Sequence, residues 1–215
     1  MPLMTTKQVS TKTFYIHENT QNESFKNMSL VLQSKGIKNN AFFLGVTDPT
    51  LMRINPRDPN LGYNMKLLVT RECVCNYWYF LREIIRIPEQ GGAANSGKLY
   101  ELHRGNLSLN WCLVHNFNVF CELPRQHGKT IAMVCRVLWE FLFGTKNSEM
   151  ALINKKYEDS KLNLARLKEI RRALPVYLQI NVEQTDPTTG KKIKFKDSVE
   201  ELVHPLNRNK IATVA

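Results

Sequence analysis

The sequence predicts an α/β fold, a βαβ unit around a mainly parallel sheet preceded by a helical region. Three observations carry that expectation. Apolar residues recur at helical spacing, most clearly in "RECVCNYWYFLREIIRI", where Val74, Tyr77, Trp78, Leu81, Ile84 and Ile85 form one stripe. Two apolar runs of strand length, "NVFCEL" (118–123) and "EMALIN" (149–154), bracket a strongly apolar helical segment. Only the short turn "PRQH" and a glycine separate the first run from that helix, the spacing of a strand–turn–helix unit.

Taken in order, residues 1–60 are rich in Asn, Thr and Lys and show no sustained period. Pro49, Pro56 and Pro59 interrupt any long element there. A poorly patterned, loosely ordered arm with one short helix near 23–34 is expected. Residues 61–117 form the helical region. Its main helix ends at Pro88 and Gly91-Gly92, "GGAANSG" is a connector, and a second helix is expected over 106–116. Residues 118–215 hold the βαβ unit. The 130–143 helix is apolar on nearly all sides, as in a helix packed between a sheet and other helices. An amphipathic helix over 157–174 presents Leu167, Ile170, Ala173 and Leu174, and Pro175 stops it. "YLQINVEQ" and "KKIKFK" flank the turn-rich "TDPTTG" as a β-hairpin, and no further strand is expected after it.

Thirty Lys and Arg against nineteen Asp and Glu give a net charge of +11. That excess suits a polyanion, with nucleic acid first, although a basic but ordinary soluble protein would share it. The five cysteines form no C-x-x-C array with histidines at zinc spacing, so free thiols in a reducing compartment are expected. The start, "MPLMTTKQVS", has no apolar signal core. "IAMVCRVLWEFLF" is too short to span a bilayer and carries Arg136 and Glu140. A soluble intracellular protein without membrane contact is expected.

The most specific stretch is "CELPRQHGKT" (121–130). It ends in the Gly-Lys-Thr of a phosphate-binding loop, but Leu123 stands where G-x-x-x-x-G-K-[ST] begins with glycine. In a strand–turn–helix context the helix N-terminal N–H groups would face phosphates. Lys129 would reach the β- and γ-phosphates, Thr130 would ligate Mg²⁺, and Gly128 would permit close backbone approach. Leu123, Pro124, Arg125, Gln126, His127 and Ile131 complete the expected surround, with Gln126 and His127 offering backbone N–H groups. The plainer alternative is a turn with a solvent-exposed lysine.

"C-E-L-P-R-Q-H-G-K-T" closely resembles the deviant Walker A loop of the large terminase subunits of tailed bacteriophages, where Arg-Gln precedes x-Gly-Lys-Thr and the opening glycine is often missing. "SEMALINKKYEDSKLNLARLKEIRRALPVYLQ" is similar to that family's next strand and helix, ending in the same Leu-Pro-x-x-Leu turn. "NYWYFLREIIRIPEQGG" and "LYELHRGNLSLNW" resemble the helical segments leading to its adenine pocket. The likeness covers roughly residues 64 to 180.

The resemblance implies a P-loop NTPase domain from residue 118 onward, behind a helical lid over 61–117. It also implies ATP and Mg²⁺ as cofactors and double-stranded DNA as the load moved into a capsid. The expected partners are the portal protein, the small terminase subunit and further copies of the chain, in the cytoplasm of the infected bacterial host. Arg125 takes the place of the loop arginine that senses the γ-phosphate and is counted with Lys129 as catalytic, a surface charge or turn salt bridge being its other reading. The family often reads adenine with an upstream glutamine, but no glutamine lies between Gln90 and Gln126. His103, Arg104 and Asn106 are the substitutes, each also readable as structural. An apolar strand ending in Asp-Glu is missing, and Glu200-Glu201 follows "KFKDSV", which is no apolar strand end. The chain is therefore expected to stop inside the ATPase domain, without the nuclease, and to be inactive alone. The basic tracts "NKKYEDSKLNLARLKEIRR" and "KKIKFK" suit phosphate contacts or a solvated face. Two other functions fit: another P-loop nucleic-acid translocase of helicase type, or a non-catalytic nucleotide-binding module.

Overall fold

Apolar stripes set where the helices lie, and polar side chains set where they stop. The computed structural model describes residues 14–89, 97–122, 124, 127–179, 184–185, 192–193 and 196–214. Strand β1 (Tyr15–Ile16) leads to helix α1 (Glu23–Ser34) and pairs antiparallel with β2 (Gly45–Val46). The expectation of a loose arm is not met over 14–60. Phe25, Phe43, Leu44, Val46 and Leu51 are buried in the core. Their spacing belongs to several short elements, so no single period shows it. Polar groups fix the segment in place: Thr20 donates to Glu83 at 2.8 Å, and Asn22 Nδ2 donates to the Tyr100 carbonyl at 3.0 Å.

The long stripe expected as one helix is divided. Helix α2 (Tyr63–Cys75) ends at Asn76, which starts the single turn α3 (Tyr77–Tyr79) and a π turn over Phe80–Ile84. Asn76 accepts from the Tyr79 N–H at 3.1 Å and donates Nδ2 to the Gly45 carbonyl at 2.9 Å. A short amide side chain competing with the helix backbone causes such a break. The stripe stays buried from Tyr77 to Ile85, but Val74, expected in it, is exposed, because the break at Asn76 takes it off the buried face. Antiparallel strands β3 (Arg86–Ile87) and β4 (Lys98–Leu99) follow, then helix α4 (Arg104–Val114).

Asn116, with φ at 57°, turns the chain out of α4. The expected strand over 118–123 is not formed across 118–122, and Leu123 lies outside the described residues. Apolar β-formers make a strand only when a paired edge and a covering layer receive them. Here Phe120 is 96% exposed. Helix α5 (Lys129–Phe143) then runs to β5 (Glu149–Ile153), and α6 (Tyr157–Arg172) and α7 (Val176–Gln179) follow. β6 (Gln184–Thr185) and β7 (Lys192–Ile193) pair antiparallel as the expected hairpin, but 177–179 at the start of its expected first arm is helical, in α7 behind Pro175.

The last strands, absent from the expectation, are β8 (Lys196–Asp197), β9 (Glu201–Val203) and β10 (Lys210–Val214). They build the main sheet in the order β5-β10-β9-β8. Only β5 and β10 are parallel, with Ile211 opposite Met150, so the sheet is mixed rather than mainly parallel. The βαβ unit seen is β5–α6–β10, one element later than expected. Helix α6 packs on β5, β10 and α5. On α5, Ala132, Val134, Cys135, Leu138, Phe141 and Leu142 are buried, Ile131, Val137, Trp139 and Phe143 pack partly buried against the same core, and of its residues Thr130 and Met133 are exposed. The class is mixed α/β. Among the described residues no helix is long and apolar enough to cross a membrane.

Candidate phosphate-binding site

Helix α5 begins without a side-chain cap. Its N-cap is Gly128, at φ 67° and ψ 10° in the left-handed region, where a glycine carries no Cβ penalty. The first N–H groups of any helix lack intrahelical acceptors. In α5 no side chain supplies one from the cap position. Lys129 and Thr130 occupy the first two helical positions, Lys129 half-buried and engaged within the fold, Thr130 exposed. This geometry suits an anion, because the helix dipole and unsatisfied N–H groups point the same way.

A cleft of about 900 Å³ opens beside Gly128. One wall is α1, through Ser24, Asn27, Met28 and Val31. The other is the β4–α4 connection from Lys98 to Asn106, and His127, Gly128 and Ile131 close the end. Ser24 braces both walls, accepting from the Leu102 N–H at 2.9 Å. The cleft therefore joins three stretches far apart in sequence.

His103 caps α4. Its Nδ1 accepts from the Asn106 N–H at 3.5 Å, and Asn106 Oδ1 accepts from the His103 N–H at 2.8 Å. This reciprocal box satisfies two donors at the start of the helix. Asn106 is buried and also donates Nδ2 to the Glu101 carbonyl at 2.8 Å. Its oxygen is thus committed to the cap, which argues against Asn106 as a reader of adenine through that atom. A Cβ on Gly128 would lie 3.5 Å from His103 Nε2 and 3.8 Å from Asn106 Nδ2, so both nitrogens face the loop. The His103 and His127 rings meet edge to face at 6.0 Å.

Of the expected site residues, Gly128, Lys129, Thr130, Ile131, His127 and Asn106 converge on this corner, and Pro124 is exposed near it in sequence. Leu123, Arg125 and Gln126 lie outside the described residues. The α1 wall was not anticipated. Its one signal was the short helix foreseen at 23–34. Glu200 and Glu201 are tied to lysines: Glu200 lies 3.8 Å from Lys161, and Glu201 lies between Lys196 and Lys210. The Lys196 contact holds the Glu201 carboxyl below its usual range.

Compared with models of known protein families and with curated proteins, the chain matches none.

Proposed function

We propose that the chain binds ATP with Mg²⁺ and is the nucleotide-binding part of a double-stranded-DNA packaging ATPase of terminase large-subunit type. The observation that carries this reading is the left-handed Gly128 opening the 15-residue α5, with Lys129 and Thr130 at its first positions beside the cleft. Phosphates would rest on the N–H groups of the first turn, where the dipole favours negative charge. Lys129 would neutralise the terminal phosphates, and Thr130 would share the cation that they bring. The nucleoside would enter the cleft between α1 and α4. Arg125 enters as the transition-state cation by resemblance of the loop sequence alone.

The +11 charge supports a nucleic-acid load. The portal protein, the small terminase subunit, assembly of several copies and the infected host's cytoplasm belong to the same proposal and rest on the loop resemblance.

The test is titration of the purified chain with Mg·ATP beside Lys129→Ala. Saturable binding is expected, weakened about tenfold or more in the variant through loss of a charge-assisted contact. The variant should keep its circular dichroism and melting curve. Equal ATP affinity in a folded K129A protein would remove the phosphate-loop reading.

A further inference from the structure

The start of α4 is a second cationic end turned towards the same cleft. Arg104 stands at its first helical position, and its first turn holds no acidic residue. Cations are unfavourable at that end of a helix, where the dipole is positive. Helix α6 follows the ordinary pattern, with Glu158 and Asp159 in its first turn and Arg171 and Arg172 in its last. A locally unfavourable residue facing a cleft is the mark of a group retained for a ligand. Arg104 lines the cleft together with His103 and His127, Glu101 is the one carboxylate of the lining, and Lys98 there is paired with Glu89 at 2.9 Å.

The capping box fixes which proton His103 offers. Nδ1 accepts from the Asn106 N–H, so in the neutral ring the proton sits on Nε2, the atom facing Gly128. Asn106 Nδ2 carries two hydrogens, and the Glu101 carbonyl takes one. The same buried nitrogen faces Gly128. Two donors at the start of α4, His103 Nε2 and Asn106 Nδ2, thus face the point where the cleft meets α5, and Arg104 lines the same cleft.

We propose that His103 Nε2–H, the Arg104 guanidinium and Asn106 Nδ2–H bind the α-phosphate of the nucleotide, the one that joins the nucleoside in the cleft to the phosphates on α5. This rests on the nucleotide reading above. It gives these residues a phosphate to hold rather than a base to read. The phosphate chain then lies between two positive helix ends, α4 holding its inner phosphate and α5 its outer ones.

The test measures binding of ATP, ADP, GTP, adenosine and inorganic pyrophosphate to the wild-type chain and to His103→Asn and Arg104→Ala. Asparagine keeps the cap but cannot reach the loop. Removing Arg104 relieves the dipole, so R104A should melt no lower than wild type. Each variant should lose about tenfold in ATP and ADP affinity while pyrophosphate, which fills only the outer positions on α5, and adenosine bind as before. GTP should fall in step with ATP. ATP and ADP affinities within about twofold of wild type in both variants would overturn the proposal. So would an equal loss with pyrophosphate, which would mark a diffuse charge effect, or a loss for ATP but not GTP, which would mark base reading. Absence of ATP binding in the wild type, or its persistence in K129A, would remove the nucleotide reading and this proposal with it. Binding that K129A abolishes, with both α4 variants unaffected, would remove this proposal alone.

Discussion

At the residue scale, Gly128 separates a backbone requirement from a spatial one. A Cβ there would meet His103 Nε2 at ordinary van der Waals distance, so the space tolerates alanine. The left-handed backbone does not. Gly128→Ala should cost about 1–2 kcal/mol, a penalty of conformation rather than of collision. Urea unfolding would measure it, and a change near zero would mean that the turn relaxes to a right-handed form. The added methyl would also stand between the nitrogens of His103 and Asn106 and any bound phosphate, so ATP affinity should fall as well. His103 and His204 show how one local motif takes two roles. Each accepts from a backbone N–H through Nδ1, yet His103 opens on a cleft and His204 is buried with no partner for Nε2. Exposure decides the difference.

At the element scale, α5 is held at its far end by the β9–β10 turn. Asn209 Nδ2 donates to the carbonyls of Glu140 and Phe141 at 3.0 and 3.3 Å, and Asn207 Nδ2 donates to those of Phe141 and Leu142. The Phe141 and Leu142 carbonyls are terminal ones that a helix leaves without its own donors, while the Glu140 carbonyl also takes the Gly144 N–H at 2.9 Å. Asn209→Ala removes one donor each from the Glu140 and Phe141 carbonyls and takes Oδ1 away from the Ser148 N–H it accepts from at 3.0 Å, at a cost of about 1–3 kcal/mol. The unfolding midpoint should fall accordingly, and an unchanged midpoint would mean that water or Asn207 replaces the lost donor. Sequence reasoning could not foresee this clamp, because nothing in "HPLNRN" names the helix it will meet. Helices α1, α4, α5 and α6 and strand β5 were legible, since their stripes are local. The break at Asn76 was not, because a capping side chain sits inside an apolar stripe. Strand β10 was missed and 118–122 was expected in excess for one reason: strand formation depends on the partner edge. At the site, the Gly-Lys-Thr corner was legible as a contiguous motif. The cleft walls at 24–31 and 98–106 were not, because only the fold brings them together.

At the scale of the whole molecule, two buried titrating groups join distant parts of the chain and should shape its acid stability. Burial raises the Glu83 carboxyl, but His17, Arg82 and Thr20 together outweigh that and hold it down at about 2. His17 and Thr20 belong to the N-terminal segment, so this carboxylate ties 14–22 to the π turn. Burial, with the nearby Arg171 charge, pushes His204 down to about 4 from an ordinary 6.5. Between those values the unfolded chain binds the proton that the fold refuses, so acidification favours unfolding. The His204 contribution is complete above 6.5 and gone by about 4. The Glu83 contribution is complete above its ordinary 4.5 and is lost towards about 2. Two successive falls in stability should therefore appear as the pH drops. His204→Asn keeps a side-chain oxygen for the Leu206 and Asn207 N–H groups but cannot titrate. Its urea midpoint should decline less than that of the wild type between pH 6.5 and 4, with both curves falling below that as Glu83 is protonated. Parallel curves across the upper window would mean that His204 takes its proton without leaving its turn, and that the acid limb belongs to Glu83 and its partners.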